Sequence, residues 1–314
     1  GQWRNHLEMQ MKELLALNRE VPGLPHNKLA KLLVFRHDNL YPNIQAALKA
    51  IRSANIPAPA LPEEVPSIRG WAPLQVFGPK KISLAGDIHV PYQDNKSVAI
   101  WVKETKNYKP DIMHLNGDAI DAHCFSFWER DLEQRNFKKE RKSGIRFFSY
   151  LRDQFPDTRI IYVLGNHEER YIKFMTAHAP EYLGIKDFDF ETVFQLNLLN
   201  IEVVGQRRPV FYGKLVAIHG HQYRSLGPPV NGAKWIYTKT KQSTVVNHFH
   251  VTHTHSERTI KGKDITSAAV ACLAQLRYTY DPTPNHNQGF ALIETFPGGQ
   301  FQIHNQKIIQ GRVV

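Results

Sequence analysis

The sequence predicts an α/β (α+β) fold of layered sheets and helices behind a small N-terminal helical region. Three observations predict it. Short apolar runs of strand length alternate with helical stretches from about residue 81 onward. A proline cluster interrupts the chain at residues 54–66. The chain has 314 residues, 42% of them hydrophobic, enough for one large core with an appendage.

The first 53 residues read as helices. Apolar residues recur near a 3.6-residue period over Glu8–Leu17, Asn27–Leu33 and Ile44–Ile51, and Pro25 and Pro42 stand near plausible helix starts. A turn at His37-Asp38-Asn39 between two short helices is compatible with a helix-turn-helix unit or with a plain helical cap. The segment carries eight Lys/Arg against six Asp/Glu over residues 1–65, few cations for gripping a phosphate backbone, which favours the cap. Residues 54–66, with Pro57, Pro59, Pro62 and Pro66, cannot form a regular helix and read as a linker. The main domain is expected over 67–314.

Within it, Lys81–Ala85, Ile112–Leu115, Arg159–Leu164, Ile201–Val204, Lys214–Ile218 and Phe249–Thr252 read as buried strands. Asn95–Lys106, Arg135–Phe155 and Glu168–Thr176 are the expected helices between them. No apolar run approaches the roughly 20 residues that span a bilayer, so no membrane partner is expected. Cys124 and Cys272 lie far apart without a CxxC partner, which argues against a disulfide framework and a thiolate metal site. The first residues show no basic stretch followed by an apolar one, and a cytoplasmic setting is expected.

Chemistry-bearing residues follow the predicted strands, where loops converge on a shared site. Gly86-Asp87-Ile88-His89 follows the first run, Asn116-Gly117-Asp118-Ala119-Ile120-Asp121 the second, and Gly165-Asn166-His167-Glu168-Glu169 the third. His219-Gly220-His221 and His253-Thr254-His255 follow two later ones. Aspartate, asparagine and histidine together suit borderline divalent ions such as Mn²⁺, Fe²⁺, Zn²⁺ or Ni²⁺. His248 and His250 have the opposite parity to His253 and His255 along an extended chain and are expected to face away.

In this order the motifs resemble the calcineurin-like metallophosphoesterase superfamily, whose pattern is D-x-H, GD, GNH[DE], H and GHxH. The resemblance covers about residues 82–256. It implies a four-layer αββα sandwich and two divalent metal ions, Mn²⁺ first among the candidates. Asp87, His89 and His255 would bind one ion, Asn166, His219 and His253 the other, with Asp118 bridging. His167 would sit over the scissile phosphate, and a metal-bridging hydroxide would attack phosphorus in line. The last motif departs from the pattern, with Thr252 where the family has glycine. Locally, Asp118-Ala119-Ile120-Asp121 with Ser126, the GNHEER run and Asn287-Gln288-Gly289-Phe290 are similar to uncharacterised phage and prophage metallophosphoesterases. Asp121 or Glu168 would orient the ligating imidazoles.

The net charge of +11 is concentrated: residues 205–263 hold ten Lys/Arg against one acid, Glu257. There, cations alternate with Tyr223, Trp235 and Tyr237, a pattern suited to a phosphate backbone and stacked bases. His221, Arg224, Lys234 and Trp235 are the candidate substrate contacts. The expected activity is hydrolysis of phosphate mono- or diesters, with nucleotide, DNA or RNA favoured. A Ser/Thr-type protein phosphatase and a non-catalytic DNA-binding module are the alternatives.

Overall fold

A computed structural model describes residues 2–56, 71–126, 136–223, 229–277 and 285–314. The chain divides into two compact units, residues 1–69 and 70–314. Residues 57–66 of the expected linker lie outside the described residues.

The first unit holds α1 (Gln2–Glu20), α2 (His26–Arg36) and α3 (Ile44–Ser53). Leu14 and Leu17 of α1 meet Leu29 and Leu33 of α2 and Ile51 of α3 in a small apolar core that also takes Tyr41. Asn43 starts α3: its side chain accepts a hydrogen bond from the Ala46 amide at 2.9 Å, satisfying a donor left open at the helix end.

The second unit runs β1 (Leu74–Val76), β2 (Lys81–Ala85), α4 (Asn95–Tyr108), β3 (Ile112–Asn116), α5 (Phe137–Gln154), β4 (Arg159–Val163), α6 (Glu168–His178) and α7 (Phe190–Val193). It continues with β5 (Ile201–Val204), β6 (Val210–Tyr212), β7 (Leu215–Ile218), α8 (Gly232–Thr240), β8 (Thr244–Val246), β9 (His253–Arg258), β10 (Asp264–Ala269), β11 (Gln288–Thr295), β12 (Phe301–Ile309) and β13 (Arg312–Val313). One sheet has the order β13-β12-β11-β2-β3-β4-β5 and the other β1-β6-β7-β8-β10-β9. Strands β2 to β5 are parallel neighbours, so they leave the sheet at the same edge and their following loops gather there.

Strand alternation explains the layers. Ile82 and Leu84 of β2, with Ile161 and Val163 of β4, face Val210, Ala217, Val245 and Ala268 of the second sheet, forming a core between the sheets. Ile160 and Tyr162 point the other way, onto Trp101 of α4 and Phe148 and Leu151 of α5. The outer face of the second sheet is covered by α8 through Ala233 and Ile236 packed on Val216 and Ile218. Helices, sheet, sheet and helix make the expected four-layer αββα sandwich.

One expected strand is wrong. Phe249–Thr252 is an irregular loop, and the buried strand of this region lies earlier, at Thr244–Val246. The run Thr244-Val245-Val246 is β-branched throughout and fully buried, and at three residues it is too short to register as a period.

Candidate metal centre

Five strands of the sandwich deliver the site, each through the loop at its end. After β2 and β3 the backbone turns at once into the left-handed region, at Asp87 (φ 50°), His89 (φ 55°) and Asp118 (φ 50°). Non-glycine residues adopt this conformation only where the surroundings enforce it. Two glycines permit the close approach. A Cβ on Gly117 (φ 90°) would lie 2.4 Å from Nδ1 of His219, and one on Gly165 would lie 2.2 Å from Oδ1 of Asp118.

Among the described residues three overlapping groups of donor atoms result: Asp87, His89 and His250; His89, Asp118 and His167; Asp118, His219 and His248. In each, the donor atoms lie within 4.8 Å of one another. Oδ2 of Asp118 is 3.2 Å from Nε2 of His219 and 3.7 Å from Nε2 of His167. Asn166 joins the last group, its Oδ1 3.1 Å from Nε2 of His219. Nε2 of His250 is 3.2 Å from Nε2 of His89 and 3.6 Å from Oδ1 of Asp87.

The tautomers follow from the outer contacts. Nδ1 of His219 donates to the Asn116 carbonyl at 2.8 Å, and Nδ1 of His89 donates to Oδ1 of Asp121 at 2.9 Å. In the neutral ring that binds a metal, each Nε2 therefore turns its lone pair inward. Nδ1 of His167 donates to the Asp121 carbonyl at 2.7 Å, and Arg170 spans that carbonyl and Nε2 of His167, both at 3.0 Å. Glu168 has a different task. Its carboxylate accepts from the amides of Asp118, Ile120 and Gly165 and from the Tyr162 hydroxyl, at 2.6–3.0 Å, bracing the loops from beneath. Between the two candidates for orienting imidazoles, the structure places Asp121 against His89 and Glu168 against backbone.

Electrostatics match the donor set. Burial opposes ionisation of Asp118, but the facing His167 and His219 imidazoles override it and hold the carboxyl well below its ordinary value. Burial likewise pushes His219 down, yet Asp118 and Asp87 outweigh it and leave its pKa at about 9. The cage thus attracts positive charge. Oδ1 of Asp87 is buried with no hydrogen-bond partner among the described residues, an atom that a cation would satisfy. Inward-facing imidazole lone pairs, two buried carboxylates and this orphaned oxygen fit divalent ions.

The structure brings Asp87, His89, Asp118, Asn166, His167 and His219 together. It does not bring His253 and His255 to them. Those two lie on β9, in register with Ala269 and Ser267 of β10. Nδ1 of His253 accepts from the Gly232 amide at 3.3 Å, and Nε2 of His255 meets Glu257 at 3.0 Å. The histidines expected to face away, His248 and His250, stand in the cage. Both have left-handed backbone, φ 71° and 56°, so strand parity does not govern them. The signal that finds them is the strand–loop rule applied to β8 instead of to Phe249–Thr252. With the pair in the cage at His248 and His250, the residue in the glycine position is Asn247, and Thr252 is no departure from the pattern; it ends the loop, its amide at 3.0 Å and its hydroxyl at 3.1 Å both donating to Oδ1 of Asn287.

Among the expected substrate contacts, His221 is anchored by Nε2 to Glu169 at 2.9 Å, and Glu169 also holds Arg207. Lys234 is exposed on α8, and Trp235 packs edge-on against Phe249 with ring centres 5.4 Å apart. Arg224 lies outside the described residues.

The family model for calcineurin-like phosphoesterases matches residues 80–281, the span that carries all five loops. The chain belongs to that family. This calcineurin-like phosphoesterase is therefore a metal-dependent phosphoesterase. Its structure is similar to that of Yfce, a phosphoesterase from E. coli, with 13% identity, coverage of 72% of this chain and 98% of that one, and a TM-score of 0.34. It is also similar to a dimetal phosphatase from Danio rerio, with 10% identity, coverage of 69% and 93%, and a TM-score of 0.32. No curated relative matches the sequence. Among the described residues no helix is long and apolar enough to cross a membrane.

Proposed function

We propose that this phosphoesterase hydrolyses phosphate mono- or diesters at a two-metal centre, with nucleotide or nucleic acid as its substrate. The observation that carries the reading is the buried Asp118 carboxylate, shared by two neighbouring groups of donor atoms. Asp87, His89 and His250 would hold one ion and Asn166, His219 and His248 the other, with Asp118 common to both. When bound, such ions, Mn²⁺ first among the candidates, polarise phosphate oxygens and make water nucleophilic near neutral pH.

The chain's own groups do the rest. Asp121 fixes the His89 ring by its Nδ1 hydrogen. His167 is held beside Asp118 by the Asp121 carbonyl. Burial lowers the His167 pKa, but the Asp118 and Asp121 carboxylates raise it overall, and the ring beside Asp118 is placed to pass a proton to a departing alkoxide. Arg170 adds a cation at the same spot, suited to a phosphate oxygen. The nucleotide preference is supported by the cations of residues 205–263. The free thiols Cys124 and Cys272 support a reducing, cytoplasmic setting.

The test is turnover of p-nitrophenyl phosphate, bis-p-nitrophenyl phosphate, single-stranded DNA and a phosphopeptide with Mn²⁺ supplied. Nucleic acid should be cleaved, and His167→Ala and Asp118→Asn should each abolish most of the rate. A preference for the phosphopeptide would replace the nucleotide reading. No turnover on any of the four would overturn the enzymatic one.

A further inference from the structure

On the outer face of the second sheet, beside α8, lies a groove of about 420 Å³ that none of the proposed ligands enters. Its floor is Val216 and Ile218 of β7, the strand that ends directly before His219, with Phe211 of β6. Its walls carry Trp71, Tyr223, Arg207 and Lys239. Trp71 is 46% exposed and Tyr223 37%, large aromatic surfaces left in water. Neither is loose: Nε1 of Trp71 donates to the Gln206 carbonyl at 3.0 Å, and the Tyr223 ring stands edge-on to Trp235 with centres 6.5 Å apart.

The groove is linked to the metal centre through the chain, Ile218 preceding His219, and through a polar relay. Arg207 at its rim makes a two-pronged bond to Glu169, and Glu169 bonds His221, two residues beyond His219. Gln222 lies in the same lining, tied back by its side-chain carbonyl to the Gly220 amide at 2.8 Å. An apolar floor, aromatic faces, cations and a side-chain amide are what a base attached to a phosphate chain requires: a surface to stack on, charge for the backbone and a partner for the base edge. A phosphopeptide would use the cations and leave the aromatic faces idle.

We propose that this groove is a nucleobase subsite, with Trp71 as its stacking face and Lys239 as a backbone contact, taking a base of the strand whose phosphate lies in the metal centre. The proposal rests on the nucleotide reading of that centre and names where its specificity resides.

The experiment measures binding of a fluorescein-labelled phosphorothioate thymidine oligonucleotide and of its abasic counterpart by anisotropy, on the metal-loaded protein and its variants. Turnover of p-nitrophenyl phosphate is measured on the same samples. The wild type should bind the oligonucleotide more tightly than the abasic chain. Trp71→Ala should weaken binding of the thymidine oligonucleotide about 5- to 150-fold, the range for loss of one stacked base. It should leave abasic binding and p-nitrophenyl phosphate turnover unchanged, and Trp71→Phe should restore most of the affinity. Equal binding of the two oligonucleotides by the wild type, or equal thymidine binding by wild type and Trp71→Ala, would overturn the subsite. If p-nitrophenyl phosphate is turned over while neither oligonucleotide binds, the nucleotide reading falls with it and the phosphoesterase centre stands. Failure to hydrolyse any phosphate ester would count against the metal centre, while the oligonucleotide comparison would still decide the groove.

Discussion

Two His-x-His runs lie five residues apart in this chain and meet opposite fates. His248 and His250 sit in a loop with left-handed backbone and enter a buried cage with Asp87, His89, Asp118 and His219. His253 and His255 sit on a regular strand at the sheet edge, paired through β10, and His255 is turned to Glu257. The His-x-His spacing is the same in both. The difference is the backbone: an i, i+2 pair shares a face on an extended strand, and that face is set by the sheet, whereas a loop free of ladder hydrogen bonds can aim each ring separately. Ligand spacing becomes informative only after the strand end has been located.

The comparison is broken most directly by alanine substitution in each pair. Loss of an outer partner of a metal ligand costs about 10- to 100-fold in affinity or activity. Loss of a ligand itself should exceed that, so His250→Ala and His248→Ala are expected to reduce metal-dependent turnover by more than about 100-fold and lower the bound metal found by elemental analysis. His253→Ala and His255→Ala, on β9 outside the cage, should leave both within about twofold. The opposite pattern would return the second run to the cage. Asp121→Asn, which keeps the shape beside His89 and removes the charge, should fall in the 10- to 100-fold range.

The same contrast explains what could be read in advance. Strands β2, β3 and β4 are five-residue runs dominated by apolar residues, and the loops behind them announce themselves with Gly-Asp and Gly-Asn pairs, so Asp87, His89, Asp118 and Asn166 were legible as a set. Strand β8 offers three residues and no glycine after it, only Asn247, whose amide is buried between Asn116 and the carbonyls of Val270 and Ala271. Nothing in the local sequence marks the positive φ angles at His248 and His250. The groove was hidden for another reason. Tyr223 and Lys239 lie in the basic segment, but Trp71 comes from before β1, far away in the sequence, and only tertiary structure brings it alongside them.

A third histidine sharpens the rule from the strand side. His114 is on β3, fully buried on the face toward the second sheet, with Nδ1 2.6 Å from the Tyr212 hydroxyl. Burial lowers its pKa to about 3, so it is neutral in the fold at neutral pH. Above the ordinary histidine value of about 6.5, folded and unfolded chains bind the same number of protons there and no pH dependence arises. Below it the unfolded chain takes a proton that the folded one refuses, so stability falls with pH, by about 2 kcal/mol at pH 5. Replacing the pair together, His114→Leu with Tyr212→Phe, should remove about that much of the acid sensitivity in denaturant midpoints compared between pH 7.5 and pH 5. An unchanged slope would show that His114 charges within the fold.

The smallest effects belong to the join between the two runs. Thr252 is the residue where the loop ends and β9 begins, and Asn287 holds it by two hydrogen bonds to one oxygen while the Asn287 amide donates to the His250 carbonyl at 2.9 Å. This latch ties the loop that carries His250 to the start of β11. Thr252→Val keeps the backbone bond and the branched shape and deletes only the hydroxyl, so it should cost about 0.5–1.5 kcal/mol, the worth of one such bond. Asn287→Ala, which strands the Thr252 amide as well, should cost about 1–3 kcal/mol. If the latch positions His250, Asn287→Ala lowers metal affinity along with the denaturation midpoint, and Thr252→Val does so to a lesser degree. If it serves the fold alone, both variants lose stability and retain the wild-type metal titration.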